Sequence, residues 1–366
     1  MRAMKIKVLS PIHIGTGEIL DCFCYEESNQ PGIVNCYDQS KAMAAVPADM
    51  LLDDQYLNML RSAGADQKGN SSRYDRLLNT IRYDTLKPEY QLIAKGGLNY
   101  QKTAVQIKSL NRPYIPGSTI KGTLIHALLY RYIKENYDRC GIERIIAEEQ
   151  NPNRFSAKTL FDRMLGSNTY ALLSSALICD DIWFDKIGFY DRARINSKGG
   201  KIPMYNCEAI IPGQTAEQRV FDLQKERIQL WIDSGMQITD RAVAYLNQLD
   251  DKYILESLRI VAKDNLETEC AYKYEINDID QQLRTLQEKA AHSYIMRTGN
   301  STDYWEKSIS GLIKKNNPQF WRENFARKLS PLGNKLSPER MPVTRVILDD
   351  GVTYSLAGYL EITDEQ

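Results

Sequence analysis

The chain has 366 residues, 43% of them hydrophobic and 26% charged, with 47 basic side chains against 47 acidic ones for a net charge of zero. That composition excludes a mini-protein, a fibre, a mostly disordered chain and a binder coated all over in positive charge. The length suggests two domains or one core with large insertions, and any nucleic-acid site must be a local basic patch.

No run of about 18 apolar residues is present. The start, Met1-Arg-Ala-Met-Lys-Ile-Lys-Val-Leu9, alternates like a strand and lacks the apolar stretch of a signal peptide, so the expected setting is cytoplasmic, without membrane contact. The seven cysteines (Cys22, Cys24, Cys36, Cys140, Cys179, Cys207 and Cys270) include no Cys-x-x-Cys pair. Free thiols are expected, with no metal site and no cofactor.

In chain order, a strand at 3–9 leads through Ser10-Pro-Ile-His-Ile-Gly-Thr-Gly17 into a second strand at 18–26. Asp66–Arg73 has the composition of a disordered loop. From Tyr90 to Lys134 there is no Asp or Glu, while Lys95, Lys102, Lys108, Arg112, Lys121, Arg131 and Lys134 fall inside. A helix is expected from a hydroxyl N-cap at Ser118-Thr119 to about Asn136, with Ile120, Leu124, Leu128 and Tyr132 repeating every four residues. Helical material near 156–175 and a strand near 176–184 follow.

A second acid-free window, Arg192–Cys207, holds Arg194, Lys198 and Lys201 around Gly199-Gly200 and runs into a strand at 205–212. The pattern at 226–295 is mainly helical, with breaks near Ser234-Gly235 and Asp250-Asp251; within it, Thr239–Glu288 has eleven acids against six bases. Strands at 344–348 and 353–356 flank the hairpin signature Asp349-Asp350-Gly351, and a last strand covers 359–363. The expected class is α+β: a core with insertions over 1–225, a helical lobe over 226–330, and strands over 331–366 that return to the core. Charge segregated this way fits one basic face for a polyanion, although charge also fluctuates along any chain.

Pro113-Tyr-Ile-Pro-Gly-Ser-Thr-Ile-Lys-Gly122 brings Gly117, Ser118, Thr119, Lys121 and Gly122 to the first turn of a helix, where free N–H groups and the positive dipole end suit an anion. The plain alternative is a capped helix whose lysine points to water. It is not a phosphate loop of the Gly-x-x-x-x-Gly-Lys-Ser/Thr type, so nucleotide hydrolysis is unsupported. Lys102, Lys108 and Arg112 lie on the approach, as a phosphate-tracking surface would need.

His13, between strands and close to Gly15 and Gly17, sits where a histidine could touch a phosphate or act as a general base, but no acid partner is present in its loop. His126 falls off the main apolar face and reads as structural. Arg297, Thr298, Gly299 and Asn300 form a candidate second backbone-contacting turn. Asp180-Asp181 lies in a strand-like run, where one carboxylate turned outward is a simpler reading than a metal ligand. Tyr100, Tyr114 and Tyr205, in or beside the basic windows, offer rings for stacking, though half-buried structural tyrosines would look the same. No Ser-His-Asp order, His-Glu-x-x-His or Gly-x-Gly-x-x-Gly is present.

The opening Ile6-Lys-Val-Leu-Ser-Pro-Ile-His-Ile-Gly-Thr-Gly-Glu18, the block Tyr114-Ile-Pro-Gly-Ser-Thr-Ile-Lys-Gly-Thr-Leu124 and the closing Gly358-Tyr-Leu-Glu-Ile362 together resemble the RAMP superfamily of CRISPR-associated proteins. With Glu208-Ala-Ile-Ile-Pro-Gly213, Met296-Arg-Thr-Gly299 and Pro342-Val-Thr-Arg345, the chain is most similar to the fifth-subunit family of the type III-A Csm complex. The resemblance spans nearly the whole length. It implies an RNA-recognition-like (ferredoxin-like) core with loop insertions and a helical insertion, placed to cap the guide RNA (crRNA) near its 3′ end and to assist guide maturation and assembly.

The resemblance further implies the other Csm subunits as partners, chiefly the repeated backbone subunit, together with guide RNA, target RNA and recruited host nucleases. That family is not assigned the cutting step. Residue by residue, His13–Gly17 and Gly117–Gly122 match the RNA-facing glycine-containing positions, with Lys121 the strongest match; the 297–300 turn departs from the glycine-rich loop of the superfamily. Two other readings stay open. One is a metal-independent endoribonuclease with His13 as base and Lys121 or Arg297 stabilising charge; the other is an adaptor whose 226–330 region docks a neighbour.

Overall fold

The computed structural model describes residues 3–58, 78–98, 101–149, 156–196, 200–272, 274, 276–302, 307–326 and 344–364. The expected disordered loop at 66–73 lies outside the described residues, as do Tyr100 and Lys198. Strands β1 (Met4–Val8), β2 (Gly15–Leu20), β3 (Tyr25–Glu27), β4 (Ile33–Cys36), β5 (Tyr90–Ala94), β6 (Thr103–Gln106) and β7 (Arg112–Ile115) precede helix α1 (Gly117–Glu135). Helices α2 (Ala157–Leu165) and α3 (Thr169–Ala176) then lead to β8 (Ile182–Trp183), β9 (Ile187–Asn196), β10 (Asn206–Ile210) and β11 (Thr215–Gln218). Helices α4 (Lys225–Asp233), α5 (Asp240–Gln248), α6 (Asp251–Ala271) and α7 (Asn277–Ala290) come next. The described chain closes with β12 (Tyr294–Arg297), α8 (Ser310–Asn316), β13 (Thr344–Asp349), β14 (Tyr354–Leu356) and β15 (Tyr359–Asp364).

The class is α+β. Alternation in β1 buries Met4, Ile6 and Val8 and exposes Lys5 and Lys7, as a strand covered on one face requires. Its neighbours are β11 and β15, both antiparallel, and β12 completes a four-stranded sheet in the order β11-β1-β15-β12. A second, larger sheet runs β2-β6-β10-β9-β5-β4-β3. The long strand β9 pairs with β10 and β5 through its first half and with β13 through its second. The hairpin at Asp349-Asp350-Gly351 joins β13 to β14, with Gly351 at φ +81°.

Helix α1 buries Ile120, Leu124, Ile125, Leu128, Leu129 and Ile133, while Lys121, Gly122, Thr123 and His126 stay at least partly exposed on another face. Residues of β1, β15 and α4 to α6 share its core, including Ile6, Ile362, Ile228, Tyr245 and Leu258. The expected helix breaks are present: Gly235 adopts φ +89°, and Asp250 caps α6 by accepting from Tyr253 N at 2.6 Å.

Three local expectations need correction. The strand expected at 18–26 is interrupted by a 3-10 turn at Cys22–Cys24, which closes when Cys24 N donates to Asp21 O at 3.0 Å. The strand expected at 176–184 breaks around Cys179-Asp180-Asp181, because Asp181 turns to the start of α1. That helix begins at Gly117 with Pro116 as its N-cap, so neither Ser118 nor Thr119 caps it; the Asp181 carboxylate takes the Gly117 N–H at 2.7 Å.

Candidate nucleic-acid interface

Three separate segments converge on a cleft of about 830 Å³. The loop after β1 contributes Ile14, Gly15 and Gly17; the first turns of α1 contribute Thr119, Gly122 and Thr123; and the turn after β12 contributes Arg297, Thr298, Gly299 and Asn300. Backbone hydrogen bonds lock the segments together: Asn300 N donates to His13 O at 2.8 Å and Thr298 N to Gly358 O at 2.8 Å. A close approach fixes the glycine between them, since Gly299 sits at φ +106° and a Cβ there would lie 2.8 Å from His13 O. Hydroxyls meet across the cleft wall, with Thr123 Oγ1 3.3 Å from Thr298 Oγ1, while Thr302 Oγ1 donates to Gly299 O at 2.9 Å. Three of the sequence blocks that carried the resemblance, those at 6–18, 114–124 and 296–299, therefore meet at one cleft.

Of the cations the sequence singled out, Arg297 lines the cleft and the other described ones are paired elsewhere or exposed away from it. Lys121 Nζ donates to Ser174 O at the end of α3, at 3.0 Å. Lys108 pairs with the buried Glu208 carboxylate at 2.8 Å. Lys102 meets Asp21 at 3.0 Å, Arg112 meets Asp185 at 3.1 Å and Lys201 meets Asp349 at 2.6 Å. Arg297 is 6% exposed; its Nε donates to Ala357 O at 3.0 Å, and its guanidinium lies 4.7 Å from the Tyr359 ring centre. The acid-free windows are acid-free only along the chain, because folding brings acids from elsewhere onto them. Arg194 is exposed on β9 with no ion pair among the described residues, and the phosphate-suited N-terminus of α1 is already occupied by Asp181.

His13 is 1% exposed. Its Nδ1 lies 2.7 Å from Glu208 O; since a carbonyl only accepts, Nδ1 carries the proton and Nε2 holds the lone pair. Burial first, with Arg192 adding to it, lowers the imidazole to about 4. Glu208 is itself the hub of a buried network: Tyr25 and Tyr90 hydroxyls donate to Oε1, and Gln106 N and Lys108 Nζ to Oε2. His126 also lines the cleft, with Nε2 buried and without a hydrogen-bond partner, and burial lowers it to about 4.

Asp180 pairs with Arg219 at 3.4 Å, and no cluster of three His, Cys, Asp or Glu suited to a metal occurs among the described residues. Tyr114 stacks on Trp183 with centroids 4.6 Å apart, whereas Tyr205 is 37% exposed. Sequence reasoning missed Thr123, Lys307, Ser308 and Phe325 as cleft residues and gave His126 no place there. The spacing Thr119 to Thr123, one helical turn on one face, was a usable signal; nothing local marks 307–325 as lying opposite.

A family model described as the RAMP superfamily matches residues 5–335. No curated protein matches the chain in sequence. A chain from the cryo-EM structure of a Csm-crRNA-target RNA ternary complex of a type III-A CRISPR-Cas system superposes with TM-score 0.70 at 19% identity, covering 99% of this chain and 100% of that one. The crystal structure of T. onnurineus Csm5 superposes with TM-score 0.59 at 18% identity, covering 98% of this chain and 99% of that one. These likenesses run over the whole chain and agree in fold with the expected core. The chain belongs to the RAMP superfamily.

Proposed function

We propose that this chain is a non-catalytic, RNA-binding subunit of a type III-A CRISPR (Csm) interference complex, capping the guide RNA near its 3′ end and assisting crRNA maturation and assembly in antiviral defence. The reading is supported by superfamily membership and by the whole-length likeness in fold to a chain solved with crRNA and target RNA. The observation that carries it is the convergence of the 13–17 loop, the start of α1 and the 297–302 turn on one cleft. Its polar lining is mostly backbone, hydroxyl and amide, set beside apolar Ile14, Leu129, Leu160 and Phe325; such polar groups hold RNA without reading sequence, as variable guides require.

Partners on this reading are crRNA, target RNA, the repeated backbone subunit and recruited host nucleases, in the cytoplasm. The endoribonuclease alternative asks His13 to take a proton from a ribose hydroxyl at the surface, but the imidazole is sealed from solvent with Nδ1 committed to Glu208 O. The test is a gel with labelled, repeat-derived single-stranded RNA across a salt series, with magnesium or with chelator. Salt-sensitive binding of intact RNA is the expected result, each neutralised phosphate adding about −0.7 to the log–log slope. Cleavage that persists in chelator and vanishes in His13→Ala would overturn it.

A further inference from the structure

We infer that the cleft takes one unstacked nucleotide of a bound single-stranded RNA, its base and ribose inside and its phosphates at the mouth. This rests on the RNA-binding reading and replaces simple backbone tracking at this site with an occupied base pocket. The volume, about 830 Å³, is that of a small-molecule pocket rather than a shallow groove. Its lining pairs hydroxyl and amide groups on Thr119, Thr123 and Asn300 with the apolar side chains of Leu129, Leu160 and Phe325. A nucleoside has the same division, a ring face to pack and polar edges to satisfy.

Charge decides which part of the nucleotide enters. Among the described residues, no carboxylate lines the cleft. Its two cationic side chains are Arg297, held by Ala357 O, and the exposed Lys307. Phosphates would gain little inside and are better left near Lys307 and solvent, whereas an uncharged base loses little on entry. The lining residue His126 carries a buried polar atom, Nε2, with no hydrogen-bond partner among the described residues. A buried polar atom left unpaired is costly, and a base edge or ribose hydroxyl could satisfy it.

Gly122 gives a clean test, because a Cβ built there meets nothing within 4 Å. Gly122→Phe therefore places a ring on the cleft wall with no clash at its Cβ, so as to obstruct the base site, and a thermal melt verifies folding. Affinities of the full chain for a short oligouridine and for its fully abasic counterpart are measured in both proteins. The natural chain is expected to prefer the base-bearing RNA by about tenfold, the worth of one stacked base, and Gly122→Phe to reduce that ratio to near one. Equal affinities in the natural chain overturn the pocket while leaving the RNA-binding reading intact. A ratio that survives in Gly122→Phe places the base contact elsewhere and overturns it as well. Failure of the natural chain to bind either RNA removes both readings.

Discussion

The imidazole of His13 hangs from the main-chain oxygen of Glu208 at 2.7 Å, 195 residues away in sequence, while the carboxylate of the same Glu208 gathers Tyr25, Tyr90, Gln106 N and Lys108. One residue of β10 thus anchors the cleft loop and pairs with Lys108 of the basic window. His13→Ala should leave any RNA-processing rate of the assembled complex unchanged. It should lower stability by about 1–3 kcal/mol, since Glu208 O loses its donor and a void opens beside Gly15. Urea unfolding and a guide-processing assay, run on one preparation, separate the two effects; an abolished rate with intact stability would make His13 a general base.

Acid should weaken this fold. Burial lowers both His13 and His126 from the usual 6.5 to about 4, so between those values the unfolded chain holds protons that the folded chain refuses. Their contribution is complete above about pH 6.5 and is lost as pH falls toward 4. Asp191 acts in the opposite sense: burial, reinforced by Asp349, pushes it up to about 6, so it favours the folded state as pH falls through that value. Two histidines outweigh one aspartate, and the melting temperature should drop between pH 7 and pH 5. His126→Leu should flatten that drop; an unchanged profile would mean that the imidazole is not buried neutral.

Lys108 is the basic residue whose loss should matter for stability rather than for RNA. Its ammonium sits 2.8 Å from a carboxylate that is 0% exposed and 3.7 Å from the Tyr90 ring centre. Lys108→Ala leaves Glu208 buried without its counter-charge, a change that typically costs about 3–5 kcal/mol. Arg194→Ala, on an exposed β9 position, should cost almost no stability and reduce the steepness of the salt slope for single-stranded RNA by about 0.7. Fluorescence unfolding curves beside a salt titration check the pair, and reversed behaviour of the two variants would refute the assignment.

Much of the fold was legible because its signals are local. Alternation marked Met4–Val8, period-four apolar residues marked α1, and Asp349-Asp350-Gly351 marked the last hairpin. The N-cap of α1 falls at Pro116, two residues before the expected Ser118, because Ser118 carries the usual capping hydroxyl while the group that satisfies Gly117 N is Asp181, 64 residues on from Gly117. The cleft was half legible: the glycine blocks fall on it, but the partners of the basic residues do not show in any window. Asp21, Asp185, Glu208 and Asp349 reach Lys102, Arg112, Lys108 and Lys201 only through strand pairing and loop packing. Thr123 and Phe325, 202 positions apart, share a wall for the same reason.

Two glycines of the helix-start block should respond in opposite directions to the same substitution. At Gly117 a Cβ would fall 2.1 Å from Cys179 O and 2.8 Å from its carbonyl carbon, both backbone atoms of the segment that delivers Asp181 to cap the helix. Gly117→Ala must push that segment away and with it the cap, so a loss of about 2 kcal/mol or more is expected from the cap and the disturbed packing together. Gly122, five residues on, is exposed in a regular helical turn with open space around a built Cβ. Gly122→Ala should raise stability by as much as about 1 kcal/mol, because alanine has less backbone freedom to lose on entering the helix. Paired thermal melts decide it; if both variants move the midpoint the same way, the contact between the start of α1 and Cys179 is not what holds Gly117 in place.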